Sequence, residues 1–584
     1  EVGAQFLNDG TLFNLGTFTV DGLVELNGGS LIQSPSGRLV VNGRLRTAGG
    51  LEINDGSVGG SGVIDGSLIL TAGTSALPGN SPGSLTVTGV VDLRAGARLE
   101  LEVGRSGAHD RLRAGSFFQG SGSIVALNFI DGLQPGLDQT FDVLEVTEPG
   151  ASVWLDTSTL QGLPPGTQTD AYRAAGTVSG ETLGLAFSAL GATRVDPIEI
   201  SSFADLWVGA GEQRFADAVL GTLNGRLTVE GTLGLRRDAV LRVGDAVVGP
   251  GAQLLSSAAR FEVVGPLQVS GEFVQRGQAL IGSASVASGG AWHNRGSLQL
   301  GHPDGGGAEF RNAGQVVHAA GTWRNETTDG VTPFIDNGAG ATFDIAAPMT
   351  GPAQVVNAGQ WRVAQGGRVQ DLQSFQQSAG RLHVDGVMTT EALRLTGGML
   401  SGRGRVEGPV LLQSEAAYAD PGAIVLRPGD DDGIGGGVLS FAERIEVGMG
   451  TVIEFVIGAD AMTSRLQLLA GADFHAGSAT RLVLAEGFLP GVEMSWTLIE
   501  LPTGFNLGGF YETAGAYMPV FARGAEGDVF LPEVLVALRD SPDGVEATLY
   551  PAVAVPEPGT YGLMLAGVGV LAWLRRRRAD PAMR

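Results

Sequence analysis

The feature that most constrains this chain is its punctuation. Short runs of alternating apolar residues are cut at close intervals by glycine or asparagine. Leu7-Asn8-Asp9-Gly10-Thr11-Leu12 gives way to Phe13-Asn14-Leu15-Gly16-Thr17-Phe18, and Gly37-Arg38-Leu39-Val40-Val41-Asn42-Gly43 follows. Alternation with period two predicts half-buried strands. Glycine and asparagine at the breaks supply the positive φ that tight turns need. Gly is 94 of 584 residues, yet hydrophobic residues reach 43%. A disordered glycine-rich polymer lacks that apolar content, so many short strands fit better. No stretch before residue 555 sustains a helical period.

The punctuation repeats. Asn-x-Gly-x-apolar occurs at Asn294/Gly296/Leu298, Asn312/Gly314/Val316 and Asn357/Gly359/Trp361, with Asn337-Gly338 between the last two. A separation of roughly 20 residues is that of one solenoid coil. In a parallel β-helix, apolar side chains stack inward and asparagine can ladder at the turns. A longer internal match lies beneath this. Gly37-Arg38-Leu39-x-Val41-x-Gly43 recurs as Gly380-Arg381-Leu382-x-Val384-x-Gly386, and Thr47 matches Thr390. After a one-residue gap, Leu51, Ile53 and Gly56 match Leu393, Leu395 and Gly398. Gly60, Gly62, Ile64, Gly66, Leu68 and Leu70 then match Gly402, Gly404, Val406, Gly408, Val410 and Leu412. Apolar and glycine positions keep their spacing while polar ones change, as a stacked-strand core requires.

The match continues from Pro78-Gly79 through Gly83-Ser84-Leu85-Thr86-Val87 to Gly132-Leu133-Gln134-Pro135-Gly136 and Phe141-Asp142-Val143-Leu144. Its counterpart runs from Pro428-Gly429 to Gly487-Phe488-Leu489-Pro490-Gly491 and Trp496-Thr497-Leu498-Ile499. This order resembles the C-terminal part of autotransporter-type β-helical passengers and reads as the closing end of a solenoid, where an open strand edge must be capped. The expected fold is all-β: two right-handed parallel β-helix (β-solenoid) units with strand-rich closing ends, then a single C-terminal transmembrane helix. The expected divisions are residues 1–192, cut short at the start, residues 205–550, and a tail at 551–584.

Composition excludes several functions. Net charge is −24, a body that nucleic acid repels. There is no Cys, so no disulfide. All 37 basic residues are arginine, which removes Schiff-base catalysis, the P-loop and Lys–Asn isopeptide staples. His109, His293, His302, His318, His383 and His475 are scattered, with no pair at metal-ligand spacing. Asp430, Asp431 and Asp432 in a glycine loop are a weak calcium candidate, without EF-hand or β-roll spacing. Otherwise no metal and no cofactor is expected. Asp371, Asp385 and Glu391 lie in repeat-rich sequence as carboxylates that a β-helical hydrolase or lyase could use. Trp292, Trp323 and Trp361 recur in the Asn-Gly repeats, to fill coil interiors or to stack on sugars; at strand positions the interior is the expectation.

The tail carries the most specific signal. Val555-Pro556-Glu557-Pro558 breaks any helix or central strand. An uncharged apolar run follows, from Gly559 through Tyr561, Leu563, Leu565, Val568, Val570, Leu571 and Trp573 to Leu574. It falls short of the roughly 20 residues that span a bilayer, but arginine stems snorkel and lengthen it. Arg575, Arg576, Arg577 and Arg578 hold the cytoplasmic side. A Pro-Glu-Pro element, an apolar span and a terminal arginine cluster resemble the PEP-CTERM sorting signal of Gram-negative exported proteins. The resemblance implies export, transient anchoring in the inner membrane, and processing near Pro556-Glu557-Pro558 by an exosortase-type enzyme. Export needs a secretion signal, expected upstream of Glu1. The expected role is a non-enzymatic structural or adhesive protein of the cell envelope or extracellular matrix, with exopolysaccharide as neighbour. The alternative is a carbohydrate-active β-helical enzyme acting on that exopolysaccharide.

Overall fold

A computed structural model describes residues 5–104, 107–149, 151, 153–177, 180–196, 205–302, 307–414, 423–429, 436–458, 463–470, 472–475, 478–486, 488, 494–502, 518–524, 527–531, 534–541 and 544–551. Contacts divide the chain into two compact units, residues 1–333 and 334–584. Among the described residues both are all-β, with one short 3₁₀ turn at Thr157–Thr159. No helix among them is long and apolar enough to cross a membrane.

The first unit opens with coils of three four-residue strands. Gln5–Asn8, Thr11–Asn14 and Thr17–Val20 form one coil; Leu23–Leu26, Ser30–Gln33 and Arg38–Val41 form the next. Each strand pairs in parallel with its equivalent one coil on, Gln5 opposite Leu23, Thr11 opposite Ser30 and Thr17 opposite Arg38. Parallel strands cannot be joined by a tight hairpin, and here the other two strands of the coil make the crossover. Burial alternates along the strands, so inward residues such as Leu39, Val58 and Leu45 stack in a dry interior.

From Ser84 the strands lengthen. Ser84–Leu93 and Arg111–Gln119 each cover two faces, with a register shift between Val87 and Val90 at the corner. The run then closes with a change of direction. Thr140–Val146 takes Gly180–Ala189 antiparallel, which in turn pairs antiparallel with Thr167–Thr177. A second run of coils starts at Thr193–Arg194 and Leu206–Val208 and continues through Val219–Val229, Val240–Val248, Arg260–Val269 and Gln278–Val286. The two runs of this unit are riveted by Arg236, which is 1% exposed. Its Nε donates to the Leu137 carbonyl at 3.0 Å and its Nη2 to the Phe187 carbonyl at 2.9 Å. The guanidinium also reaches Ser188 and lies 3.8 Å from the centre of the Phe215 ring.

The second unit repeats the plan. Phe334–Asn337, Gln354–Asn357 and Ser374–Gln377 stack in parallel, as do Thr342–Ile345, Gln360–Val363 and Arg381–Val384. Its closing end again reverses: Ser495–Glu500 pairs antiparallel with Gly544–Pro551, and that strand with Val534–Ser541. Such hairpins shield the parallel edge that a solenoid otherwise leaves open.

The internal match seen in the sequence holds element by element. Arg38–Val41, Arg44–Thr47, Leu51–Ile53, Ser57–Gly60, Val63–Asp65 and Leu68–Leu70 correspond to Arg381–Val384, Val387–Thr390, Leu393–Leu395, Gly398–Gly402, Arg405–Glu407 and Val410–Leu412. Even isolated bridges recur: Gly60 with Gly79 and Gly402 with Gly429, then Val103 with His109 and Ile457 with Thr463. The residue after each second bridge does the same work with different chemistry. Asp110 accepts from the Glu102 N–H at 2.8 Å, and Ser464 accepts from the Val456 N–H at 2.7 Å.

Matched glycines mark close approaches of neighbouring coils. Gly66 and Gly408 have φ of 138° and 118°. A Cβ on Gly408 would lie 1.8 Å from the Thr390 carbonyl oxygen, and one on Gly66 would lie 2.4 Å from Thr47 Oγ1. Gly408→Ala is therefore expected to destabilise the second unit by at least the 1–3 kcal/mol that such backbone strain costs, read as a lower thermal transition of the purified chain. An unchanged transition rejects this stacking.

The Asn-x-Gly motif acquires a physical reason. Asn14, Asn294 and Asn312 each accept, through Oδ1, from the N–H of the glycine two residues on, at 3.0 to 3.3 Å. Their amide nitrogens are then free to bridge coils. Asn14 donates to Gln33 at 2.8 Å, Asn337 to Asn357 at 2.7 Å and Asn357 to Gln377 at 2.9 Å. In the first unit Ser256, Gln275, Asn294 and His318 stack likewise, all fully buried. Buried amides are tolerated where their nitrogens reach the next coil: Gln275 donates to the Ser297 carbonyl at 2.9 Å, and Asn294 Nδ2 lies 3.1 Å from His318 Nδ1, although Gln275 Oε1 and Ser256 Oγ are buried without a partner.

Candidate functional site

The second unit concentrates its chemistry on one outward ladder. Inward residues of the strands from Thr342–Ile345 to Ala479–Leu484 fill the core, so alternate residues face out, one per coil. Register places Asp344 beside Arg362, Arg362 beside His383, His383 beside Ser401, and Ser401 beside Arg427; Glu454 follows, beside Arg481. Asp344 has its carboxyl pushed up by burial, with the Arg362 charge opposing.

His383 is buried between two partners. Its Nδ1 lies 2.9 Å from Ser401 Oγ and its Nε2 lies 2.9 Å from Asp385 Oδ2. Asp385 Oδ1 accepts from the Arg403 N–H at 3.2 Å, and Arg362 stands 3.7 Å from the Oδ2 that faces His383. Serine, histidine and aspartate in this order make the proton-relay arrangement of a nucleophilic triad. Here, however, Ser401 is completely buried, so its Oγ is not presented to solvent. The set braces adjacent coils.

Of the carboxylates considered from sequence, Asp385 is thus drawn into a cluster, whereas Asp371 and Glu391 are exposed. Asp371 sits at φ 63° on a bulge between Val369 and Leu372. Ser401 was not singled out, and only its distance from His383, one coil along the chain, signals it.

One step along the ladder lies a denser cluster, also missed in the sequence. Glu454 is fully buried. Arg427 reaches it at 2.5 Å, Arg481 donates to it through two nitrogens, and Arg523 approaches at 3.3 Å. Asp528, on the strand paired with that of Arg523, lies 3.5 Å from Arg523 and 3.6 Å from Arg481. Burial alone pushes the Glu454 carboxyl up, but the Arg427 and Arg481 charges and hydrogen bonds together outweigh it and hold the group below the usual range. The equivalent residue of the first unit, Glu100, is half-exposed beside Arg98 at 3.4 Å.

The three repeat tryptophans do not form a sugar-stacking surface. Trp292, Trp323 and Trp361 are fully buried. Trp361 stacks on Phe343 with ring centres 4.2 Å apart, and Trp292 packs against Phe273 at 4.8 Å and Phe310 at 5.3 Å. The exposed aromatics are others, among them Phe13, Phe118, Trp154 and Trp207. Among the described residues no group of three or more acidic or histidine side chains is placed to hold a metal. The calcium candidate Asp430, Asp431 and Asp432 lies outside the described residues, as do Val555–Pro558, the apolar run and Arg575–Arg578.

The tail is decided by comparison with known families. Residues 554–578 match the PEP-CTERM protein-sorting motif. The PEP-CTERM motif takes in Val555-Pro556-Glu557-Pro558, the apolar run and all four arginines, so each part of the expected signal falls inside it. PEP-CTERM sorting marks an exported, membrane-transiting protein processed by an exosortase-type enzyme. A comparison with curated proteins finds no match to the chain.

Proposed function

We propose that this chain is a non-enzymatic structural or adhesive component of a Gram-negative cell envelope or extracellular matrix. Its coils are right-handed, as strand–crossover–strand connections are almost without exception. The apolar run from Gly559 to Leu574 forms a helix that holds the inner membrane until processing near Pro556-Glu557-Pro558 releases the body to the cell surface or matrix. The observation that supports this best is the pairing of a sorting motif with a body whose densest polar clusters are buried and neutralised among themselves. Ser401, His383 and Glu454 are all spent on partners in neighbouring coils. Mass spectrometry of the mature C-terminus in an exosortase-bearing host tests the sorting half. Loss of Arg575–Arg578 is expected, and a chain that retains them rejects processing.

The second reading, a carbohydrate-active enzyme, draws on the triad-like order of Ser401, His383 and Asp385. Release of new reducing ends from exopolysaccharide by the purified body would establish it over the structural reading.

A further inference from the structure

We propose that the outward sheet face between Arg260 and Arg324 in the first unit binds a linear carboxylated polysaccharide, one sugar per coil. The face holds a cavity of about 320 Å³ lined by Arg260, Gln278, Leu280, Ser297, Gln299, Thr322 and Arg324, with the backbone of Ala279 and Leu298 between them. Register arranges these side chains in two parallel files. Gln278, Ser297 and Thr322 stand opposite one another in successive coils, continuing the file of Arg260. Leu280, Gln299 and Arg324 form the second file, two residues along each strand.

Three properties select the ligand. The first is charge. The chain has 61 acidic residues against 37 basic ones, yet this lining contains two arginines and no carboxylate. Each arginine is held by a carboxylate at the edge of the face: Glu262, buried and next to Leu280 in the second file, holds Arg260 at 2.8 Å and Arg242 at 3.2 Å, and Glu326, which accepts from Gln299, holds Arg324 at 3.1 Å. Each arginine is oriented while its outer edge faces solvent. A guanidinium edge suits a carboxylate, which it can bind through two parallel hydrogen bonds.

The second property is the neutral side chains. Gln278, Ser297, Gln299 and Thr322 carry amides and hydroxyls, the complement of sugar hydroxyls; Thr322 donates to Ser297 at 3.3 Å and Gln299 to Glu326, which orients them and leaves their remaining donors and acceptors for a ligand. Leu280, half-buried, adds an apolar patch for the C–H face of a ring.

The third is repeat. Neighbouring strands are about 4.8 Å apart, close to the advance of one sugar ring along an extended glycan. A polysaccharide running across the strands therefore meets an equivalent pair of side chains at each step. The floor is stiff. The residues between the files point inward, and Phe261, Ala279, Leu298 and Trp323 stack directly beneath, all buried. Sites on packed strands hold their geometry better than sites on loops.

The inference deepens the structural reading and rests on it for the presence of glycan outside the cell. Calorimetric titration of the purified chain with polygalacturonate, and with dextran of matched length, tests it. Polygalacturonate is expected to bind, with affinity that falls as salt rises, and dextran at least tenfold more weakly. Arg260→Gln with Arg324→Gln is expected to weaken polygalacturonate at least tenfold. Because Arg260 pairs with buried Glu262, a second variant, Gln278→Ala with Thr322→Ala, leaves the ion pairs intact and is expected to weaken binding three- to tenfold with an unchanged circular dichroism spectrum. Equal affinity of wild type and both variants, or equal affinity for the two glycans, overturns the site. Shortening of the bound glycan would keep the groove and reject the non-enzymatic reading, so the two failures are distinguishable.

Discussion

Replacing Arg236 by methionine is expected to lower the stability of the first unit by about 2–6 kcal/mol, the cost of leaving two buried carbonyl acceptors without their donor. Two effects add. The carbonyls of Leu137 and Phe187 lose their donors in an interior that water does not reach, and an orphaned buried acceptor costs about 1–3 kcal/mol. The cation over the Phe215 ring is lost as well. Lysine should not rescue, because one ammonium on a flexible stem cannot serve two carbonyls and a ring as the planar guanidinium does. Gly234→Val tests the same joint without touching charge, since a Cβ there would stand 2.5 Å from the Leu137 side chain. Calorimetry of the purified chain is the measurement. If Arg236→Met melts with wild type, the two coil runs of the first unit are not held together as described.

The second large effect is expected at Glu454. Glu454→Gln leaves Arg427, Arg481 and Arg523 facing one another around a neutral amide. A loss of about 3–5 kcal/mol follows from the uncompensated buried charge. The same substitution at Glu100, its half-exposed counterpart, is expected to change stability by less than about 1 kcal/mol, as for other exposed ion pairs. Equal effects at the two sites would show that burial of the cluster contributes nothing. The pH dependence carries a sign. The Glu454 carboxyl is held below its ordinary value of 4.5 in the folded chain. Its contribution is therefore complete above that value and is lost as pH falls through the lower, folded one. Wild type should lose its advantage over Glu454→Gln on acidification below pH 4.5, and melting curves of both proteins from pH 7 to pH 3 measure this.

Much of the architecture was legible because it rests on local rules. A glycine with positive φ and a period-two alternation are properties of a few consecutive residues, and Gly60, Gly66, Gly402 and Gly408 declare themselves by spacing alone. The asparagine ladders were legible for a related reason. Asn14 and Asn294 bond their own glycines two residues on, so the motif is visible within one turn. The buried tryptophans follow from strand position.

The clusters were not legible in the same way. Asp371, Asp385 and Glu391 look alike in sequence, and Asp385 differs only because His383 and the Arg403 N–H lie against it. Coils vary in length, so the residue that stands beside a given side chain cannot be counted off. Glu454 is 27 residues from Arg481 and 69 from Arg523.

By itself, the sequence determined three things. It set the strand class, through alternation and glycine. It set the internal duplication, through matched spacing. It set the sorting motif, through Pro556-Glu557-Pro558 and the arginines, a match made on linear sequence over residues 554–578. Only the tertiary structure decided which charges are buried, which serine meets which histidine, and which face brings Arg260 and Arg324 together with neutral amides and hydroxyls. Those depend on the register of one coil upon the next, and register is set by packing in the stacked core rather than by neighbours along the chain.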